Sequence, residues 1–489
     1  MKRSERSGRI AVIIAIFCAA TAVSSLAQTF HTLTTFNETN GAVPGPVIQG
    51  LDGNFHGTTL LGGSNGNSNT GGTIFSMTPT GELSVVYNFC ALTNCADGEG
   101  PDTTLLQGAN GSYFGVTEEG GSISCFESNG CGTVFEFTNA GNLVTLHSFC
   151  ALPNCTDGYV PGAPLVAANG IFYSAAGLSG GGDGFLYKIT PNGNFSILYT
   201  FCSQTNCTDG VDPGGIIRGA NGNFYGTTAA GGTTNFGTIF EITPAGKLTT
   251  LYNFTACSDS NPTSVMQASN GNFYGTTAGT FPCPGEVFEL TSAGKFTVLH
   301  TFCLHCSPAL ARGAGPLIEA SDGNLYGMTG FGGTNKNGGI FKLTLSGKLT
   351  TYLSFSSCDV HTSCSDGTLP NGSLLQGTEG NFYGVMGGGG LIGCRALYGC
   401  GTVFSVTTGL NPFVAPSPSY GKIGSIVQIL GNSLTGTTSV TFNGETAKFK
   451  VISDTYLEAQ VPTGSTTGII QVTTPTSTLK SNVVFRVLP

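Results

Sequence analysis

The sequence contains no tryptophan and only six histidines, and just 9% of its residues carry a charge. What charge there is favours acid, which excludes nucleic acid as a partner, because a phosphate backbone demands basic surface. No long apolar run occurs beyond the N-terminus, so no later segment is a transmembrane candidate. The H-E-x-x-H pattern, a phosphate-cradling loop and a nucleophile motif are all missing, and nothing in the chain asks for a cofactor.

What is present begins with a secretory signal. Lys2, Arg3, Arg6 and Arg9 precede an apolar run over 10–23, and Ser25-Leu26-Ala27 supplies small residues for cleavage, so the mature chain is expected to start at Gln28. Without residues 1–27, the chain holds 14 Lys+Arg against 26 Asp+Glu. Sixteen cysteines remain, mostly in close pairs: Cys90/Cys95, Cys125/Cys131, Cys150/Cys155, Cys202/Cys207, Cys303/Cys306, Cys358/Cys364 and Cys394/Cys400, with Cys257 and Cys283 left over. In an exported chain these read as disulfides. Cys303-Leu-His-Cys306 has a zinc-like spacing but no second such pair follows, so no metal site is expected.

Internal repetition governs the fold. DGNFHGTT (52–59) recurs as NGSYFGVT, NGIFYSAA, NGNFYGTT twice, DGNLYGMT and EGNFYGVM, seven copies spaced 49 to 59 residues apart. Each is followed by a segment such as GTIFEIT (237–243). Six are followed again by one such as LTTLYNF (248–254); the seventh copy of that segment is FHTLTTF, at 30–36. Four short strands per repeat, joined by NG, DG and AG turns, describe a propeller blade. The expectation is therefore all-β: a seven-bladed β-propeller over 28–410, closed by the N-terminal strand. These strings resemble the Gloeo/Verruco (GloVer) tandem repeat of bacterial exported proteins, best at 221–254, and that resemblance implies no particular activity.

In such a ring the long connections between blades and the loops between second and third strands share one rim. All sixteen cysteines then fall on one face, and Cys257 and Cys283 become neighbours expected to bond. Asn40, Asp97, Asp157, Asp209 and Asp366 recur there in a D/N-G-x-x-P motif, read as an Asx turn rather than a cation ring.

After Gly409 the pattern stops. Residues 411–418 read as a stiff Pro-rich linker, and 419–489 as an antiparallel immunoglobulin-like sandwich. Pro418-x-x-Gly421-x-x-Gly424, ILGNSL, TSVTFNG and VISDTYLEAQVP resemble the IPT/TIG family, which implies an accessory or surface-attachment module without catalytic residues.

Long loops pinned on one face of a rigid ring suit a secreted or cell-surface binding protein that grips a glycan or another protein. Tyr159, Phe236, Arg312, Lys336, Arg395 and Tyr398 are the candidate contacts, being loop residues without a role in the repeat. Two alternatives stand beside this. Glu118-Glu119 and Asp209/Asp212 are paired acids of the kind a polysaccharide-degrading lyase or hydrolase uses. An envelope or matrix scaffold would need no site at all. His56, His147 and His300 stand where other repeats carry Tyr, so they read as packing; His305 and His361 fall in the cysteine loops.

Overall fold

The computed structural model describes residues 28–65, 71–121, 130–177, 183–255, 261–278, 284–302, 314–356, 364–391, 394 and 399–488. Each repeat forms one antiparallel sheet, and the seven sheets are the blades of a β-propeller. In blade 4, Val211–Arg218, Phe224–Ala230, Thr238–Ile242 and Leu248–Asn253 pair in chain order. Blade 7 takes Thr368–Gln376, Phe382–Gly388 and Thr402–Thr407 from the last repeat. Its outer strand is Thr29–Thr35, antiparallel from Thr29↔Thr407 to Thr35↔Thr402. No α-helix occurs among the described residues; the only helical pieces there are 3-10 turns at Thr93–Cys95, Pro153–Cys155 and Thr205–Cys207.

The repeat motif is a packing device. Of its two adjacent aromatics, one points to the preceding blade and the other to the next, because neighbours on a strand face opposite ways. Tyr173 meets Phe224 at 4.3 Å, Tyr225 meets Phe273 at 4.3 Å and Tyr326 meets Phe382 at 4.6 Å between ring centres. The series runs on across the ends of the repeat array, where Tyr383 of blade 7 lies 4.0 Å from Phe55 of blade 1. His56 takes the Tyr position in blade 1 and stacks on Tyr113 at 4.5 Å, which bears out its reading as packing.

The glycine of the motif makes room for the next strand. A Cβ on Gly226 would stand 2.6 Å from Phe240 Cζ, and one on Gly115 would stand 2.6 Å from Phe135 Cζ. Blade 3 departs from this pattern: Ser174 replaces the glycine, with Tyr187 opposite it. The Ser174 hydroxyl donates to Ala163 O at 2.8 Å, so its added polar atom is satisfied.

The tight turns lie on the rim opposite the cysteines. Just before each turn the innermost strand carries Gln49, Gln107, Ala167, Arg218, Gln267, Glu319 and Gln376, one per blade. Most of these reach the turn of the preceding blade. Gln107 Oε1 accepts from Leu51 N at 3.0 Å, Gln267 Oε1 from Ala220 N at 2.7 Å and Glu319 Oε2 from Ser269 N at 2.7 Å. Gln376 Oε1 accepts from Ser321 N at 2.8 Å, and Gln49 Oε1 from Thr378 N at 3.0 Å, which ties blade 1 to blade 7. These bonds form a belt around the ring, broken only at Ala167 and Arg218.

The C-terminal sandwich packs Val427, Ile429, Val440, Phe442, Leu457, Ile470, Val472 and Phe485 between its sheets. It begins inside the segment expected to be linker. Ala415–Ser417 pairs with Ile426–Leu430, and Val414 is buried in the core, because its apolar side chain gains more from the sandwich than from water. The sandwich sits on the turn rim. Thr455 Oγ1 donates to Leu51 O at 2.9 Å, Gln428 Nε2 to Ala109 O at 2.9 Å and Asn432 Nδ2 to Thr378 Oγ1 at 2.6 Å.

Candidate functional site

The opposite rim carries the cysteine loops. Three of them share one frame: Cys90–Cys95, Cys150–Cys155 and Cys202–Cys207 are disulfides, each closing a short loop ahead of the buried Asp97, Asp157 or Asp209. Cys394–Cys400 is bonded, and Cys131 and Cys364 are also in disulfides. The expected Cys257–Cys283 bond lies outside the described residues.

The aspartates are loop-builders, but not by the Asx turn expected of them. An Asx turn bonds forward, whereas these carboxylates reach back five and six residues. Asp157 accepts from Ala151 N at 2.9 Å and Leu152 N at 3.1 Å. Asp209 accepts from Ser203 N at 3.1 Å, Ser203 Oγ at 3.0 Å and Tyr199 Oη at 2.7 Å. Asp97 repeats the pattern with Ala91 N, Leu92 N and Tyr87 Oη. Their oxygens are spent inside the loop, which suits a buried carboxylate and leaves little for a ligand. On the outer strand of blade 2 the Tyr is replaced by His147, whose ring stacks on Phe195 of blade 3 at 4.2 Å with Nε2 3.2 Å from Asp157 Oδ2. Burial pushes the His147 pKa down, and Asp157 partly offsets it.

Three of the described cysteine loops dock on the second-to-third loop of the blade they lead into. Cys95 O accepts from Gly121 N at 2.9 Å, Cys207 O from Gly232 N at 2.9 Å and Cys364 O from Gly390 N at 2.7 Å. The described cysteine loops are therefore on one face, as the strand order implied. At the tips, apolar residues are exposed among the described residues: Leu92 at 58%, Leu152 at 52%, and Val160, Leu369 and Leu391.

Of the six candidate contacts, three are among the described residues. Tyr159 and Phe236 are partly buried against blade cores, so they are packing residues first. Lys336 is exposed at a left-handed loop position. Arg312, Arg395 and Tyr398 lie outside the described residues, as do His305 and His361. What sequence reasoning missed is the apolar set at the loop tips, whose signal was Leu at the same place in two loops that differ by one residue, ALTNC (91–95) and ALPNC (151–155).

Blade 2 gathers acids at this rim. Burial, then the charges of Asp102 and Glu119, push the Glu118 pKa up to about 7. Burial raises Asp102 as well. Burial and then Glu99 raise Glu119, and the backbones of Glu99 and Glu119 pair directly. A carboxyl near 7 is half protonated at neutral pH and is able to give or take a proton there. Two groups of His, Cys, Asp or Glu among the described residues are close enough for a metal, Cys90/Cys95/Glu99 and Asp183/Cys202/Cys207. Each spends its two sulfurs on a disulfide, which removes the thiolates a metal needs.

The family described as the Gloeobacter/Verrucomicrobia repeat matches residues 20–208 and 179–404. The chain belongs to this family. An IPT/TIG domain follows at 413–487, which agrees with a sandwich that starts at Phe413 rather than after the prolines. No curated protein matches the chain. Solved structures share the fold at low identity. The extracellular domain of a hybrid two component system from B. thetaiotaomicron is 10% identical at a TM-score of 0.50, over 95% of this chain and 59% of that one. A second such domain from that organism is 13% identical at 0.49, over 94% of this chain and 58% of that one. This chain thus spans less than two thirds of either. A fungal alcohol oxidase of the AA5 family, in complex with copper, is 12% identical at 0.50, over 94% of this chain and all of that one.

Proposed function

We propose that this repeat-family protein is exported and acts as a non-enzymatic binding protein. Its cysteine-loop face grips a glycan or another surface protein, and its TIG domain serves as an accessory module. One observation carries the reading: the sandwich occupies the turn rim, so among the described residues the cysteine face is the end of the ring it does not cover, and exposed Leu92 and Leu152 stand on it. Apolar tips on rigid loops bind without ordering cost, since the disulfide and the buried aspartate have already fixed them.

The test is a glycan array together with a panel of immobilised surface proteins. Leu92→Asp with Leu152→Asp is expected to abolish whatever binding is found, and Ile423→Asp on the exposed sandwich is expected to leave it intact. Binding that is lost only with Ile423→Asp would sink the assignment of the face. A second reading, a polysaccharide-degrading enzyme, is favoured by Glu118 alone. It requires that incubation with polysaccharides release reducing or unsaturated ends, and that Glu118→Gln stop the release.

A further inference from the structure

The belt of glutamines fails at blades 3 and 4, and its failure leaves a charged cavity under the sandwich. A guanidinium has donors and no acceptor, so Arg218 cannot take the backbone N–H that glutamine takes in other blades. It turns to the sandwich instead, 3.8 Å above the Tyr420 ring. Arg486, on the last strand of the sandwich, reaches the same place and donates from Nη1 to Gly219 O at 3.4 Å. Ala167 in the neighbouring blade is too short to fill the space. The result is a cavity of about 480 Å³ at the seam, walled by Ala167, Met266, Tyr420 and Val483 and by both arginines.

Not every donor of these two arginines is spent. Arg218 Nε and Nη1 and Arg486 Nε are buried with no hydrogen-bond partner among the described residues. Glu319 is the carboxylate in the wall, but Ser269 N and Ser269 Oγ occupy its two oxygens. Two half-buried guanidiniums thus line one space, and neither makes an ion pair among the described residues. Burial and the charge of Arg218 push the Arg486 pKa down, as expected of neighbouring cations.

We propose that the seam binds a small oxyanion, a carboxylate or phosphate group on a molecule of monosaccharide size, held by Arg218 from the ring and Arg486 from the sandwich together. Forked donors match the paired oxygens of such groups. The volume lies within the roughly 300–1,000 Å³ usual for small-molecule sites. Thr467 adds a hydroxyl to the wall, and Ala167 and Val483 add apolar surface. A ligand that bonds both domains also fastens the sandwich to the ring. This inference is independent of the cysteine face.

The test titrates the full mature chain with sodium glucuronate and with inorganic phosphate, at ionic strength held constant by sodium chloride, by calorimetry and thermal unfolding. Saturable binding of at least one probe is expected, with a rise in the thermal midpoint. Arg218→Gln and Arg486→Gln should each weaken it at least about tenfold. A preference for glucuronate assigns a sugar acid, and one for phosphate a phosphate ester. Arg218→Gln installs the residue that four other blades carry, so its unliganded midpoint should equal or exceed that of the parent and loss of binding is not loss of fold. The proposal is overturned if neither probe saturates, if both variants bind as the parent does, or if sodium chloride alone stabilises equally.

Discussion

Gln49 offers the most direct test of how the ring is held. Its Oε1 accepts from Thr378 N at 3.0 Å across the junction of the first and last blades, and its Nε2 donates to Gly53 O at 3.3 Å. Thr378 is 1% exposed, so its N–H cannot turn to water when the acceptor goes. Gln49→Met keeps the length of the side chain and removes both bonds. The orphaned N–H costs about 1–3 kcal/mol and the longer bond about 0.5, for a total of about 2 kcal/mol. Gln49→Glu keeps the acceptor and loses only the donor, as Glu319 does naturally in blade 6, so it should cost about 0.5 kcal/mol. Equilibrium urea unfolding with an unchanged m-value reads the difference. If Met costs no more than Glu, the belt contributes nothing at this junction and the account of it is wrong.

Mass mapping of the non-reduced protein should recover a peptide pair joined by Cys257 and Cys283, because described cysteine loops dock on the second-to-third loop of the blade they enter; either cysteine found free or bonded elsewhere refutes it. Glu118 binds its proton more tightly folded, at about 7, than its ordinary 4.5. Between those values the folded chain holds more protons, so stability falls as pH rises through the window and levels off above it. Glu118→Gln should flatten that slope and, at about pH 8, add about 1–2 kcal/mol, a ceiling of about 3 discounted for its partial exposure. Parallel pH profiles for the two proteins would disprove this. Gly226→Ala should cost about 1–3 kcal/mol, since its Cβ would press on Phe240 and Ile216, and a denaturation midpoint equal to the parent's would show that the contact yields.

The ring was legible because each blade meets its neighbour in the same way. One contact repeated seven times leaves one string repeated seven times, and Phe224 or Tyr225 reads the same wherever the motif falls. The aspartates were visible too, but their partners were not: a loop that folds back on Asp157 from Ala151 and Leu152 has no signature beyond the motif itself. The belt residues hid in plain sight before each turn glycine, where a polar residue reads as solvated. Tyr159 and Phe236 were chosen for lacking a place in the repeat, and the structure gives them one in packing that spans blades. Arg218 and Arg486 lie far apart in the chain, and only the seating of the sandwich brings them together.

The pairing of Thr29–Thr35 with Thr402–Thr407 also sets a timetable. The first strand of the propeller to be synthesised has its partner among the last, so it must wait, unpaired, while six blades assemble. Until then blade 7 has an open edge, and any chain cut short before Thr402 keeps one, free to recruit a strand from another molecule. Completion of the ring is therefore a check on the completeness of the chain, made before the sandwich beyond it can be seated.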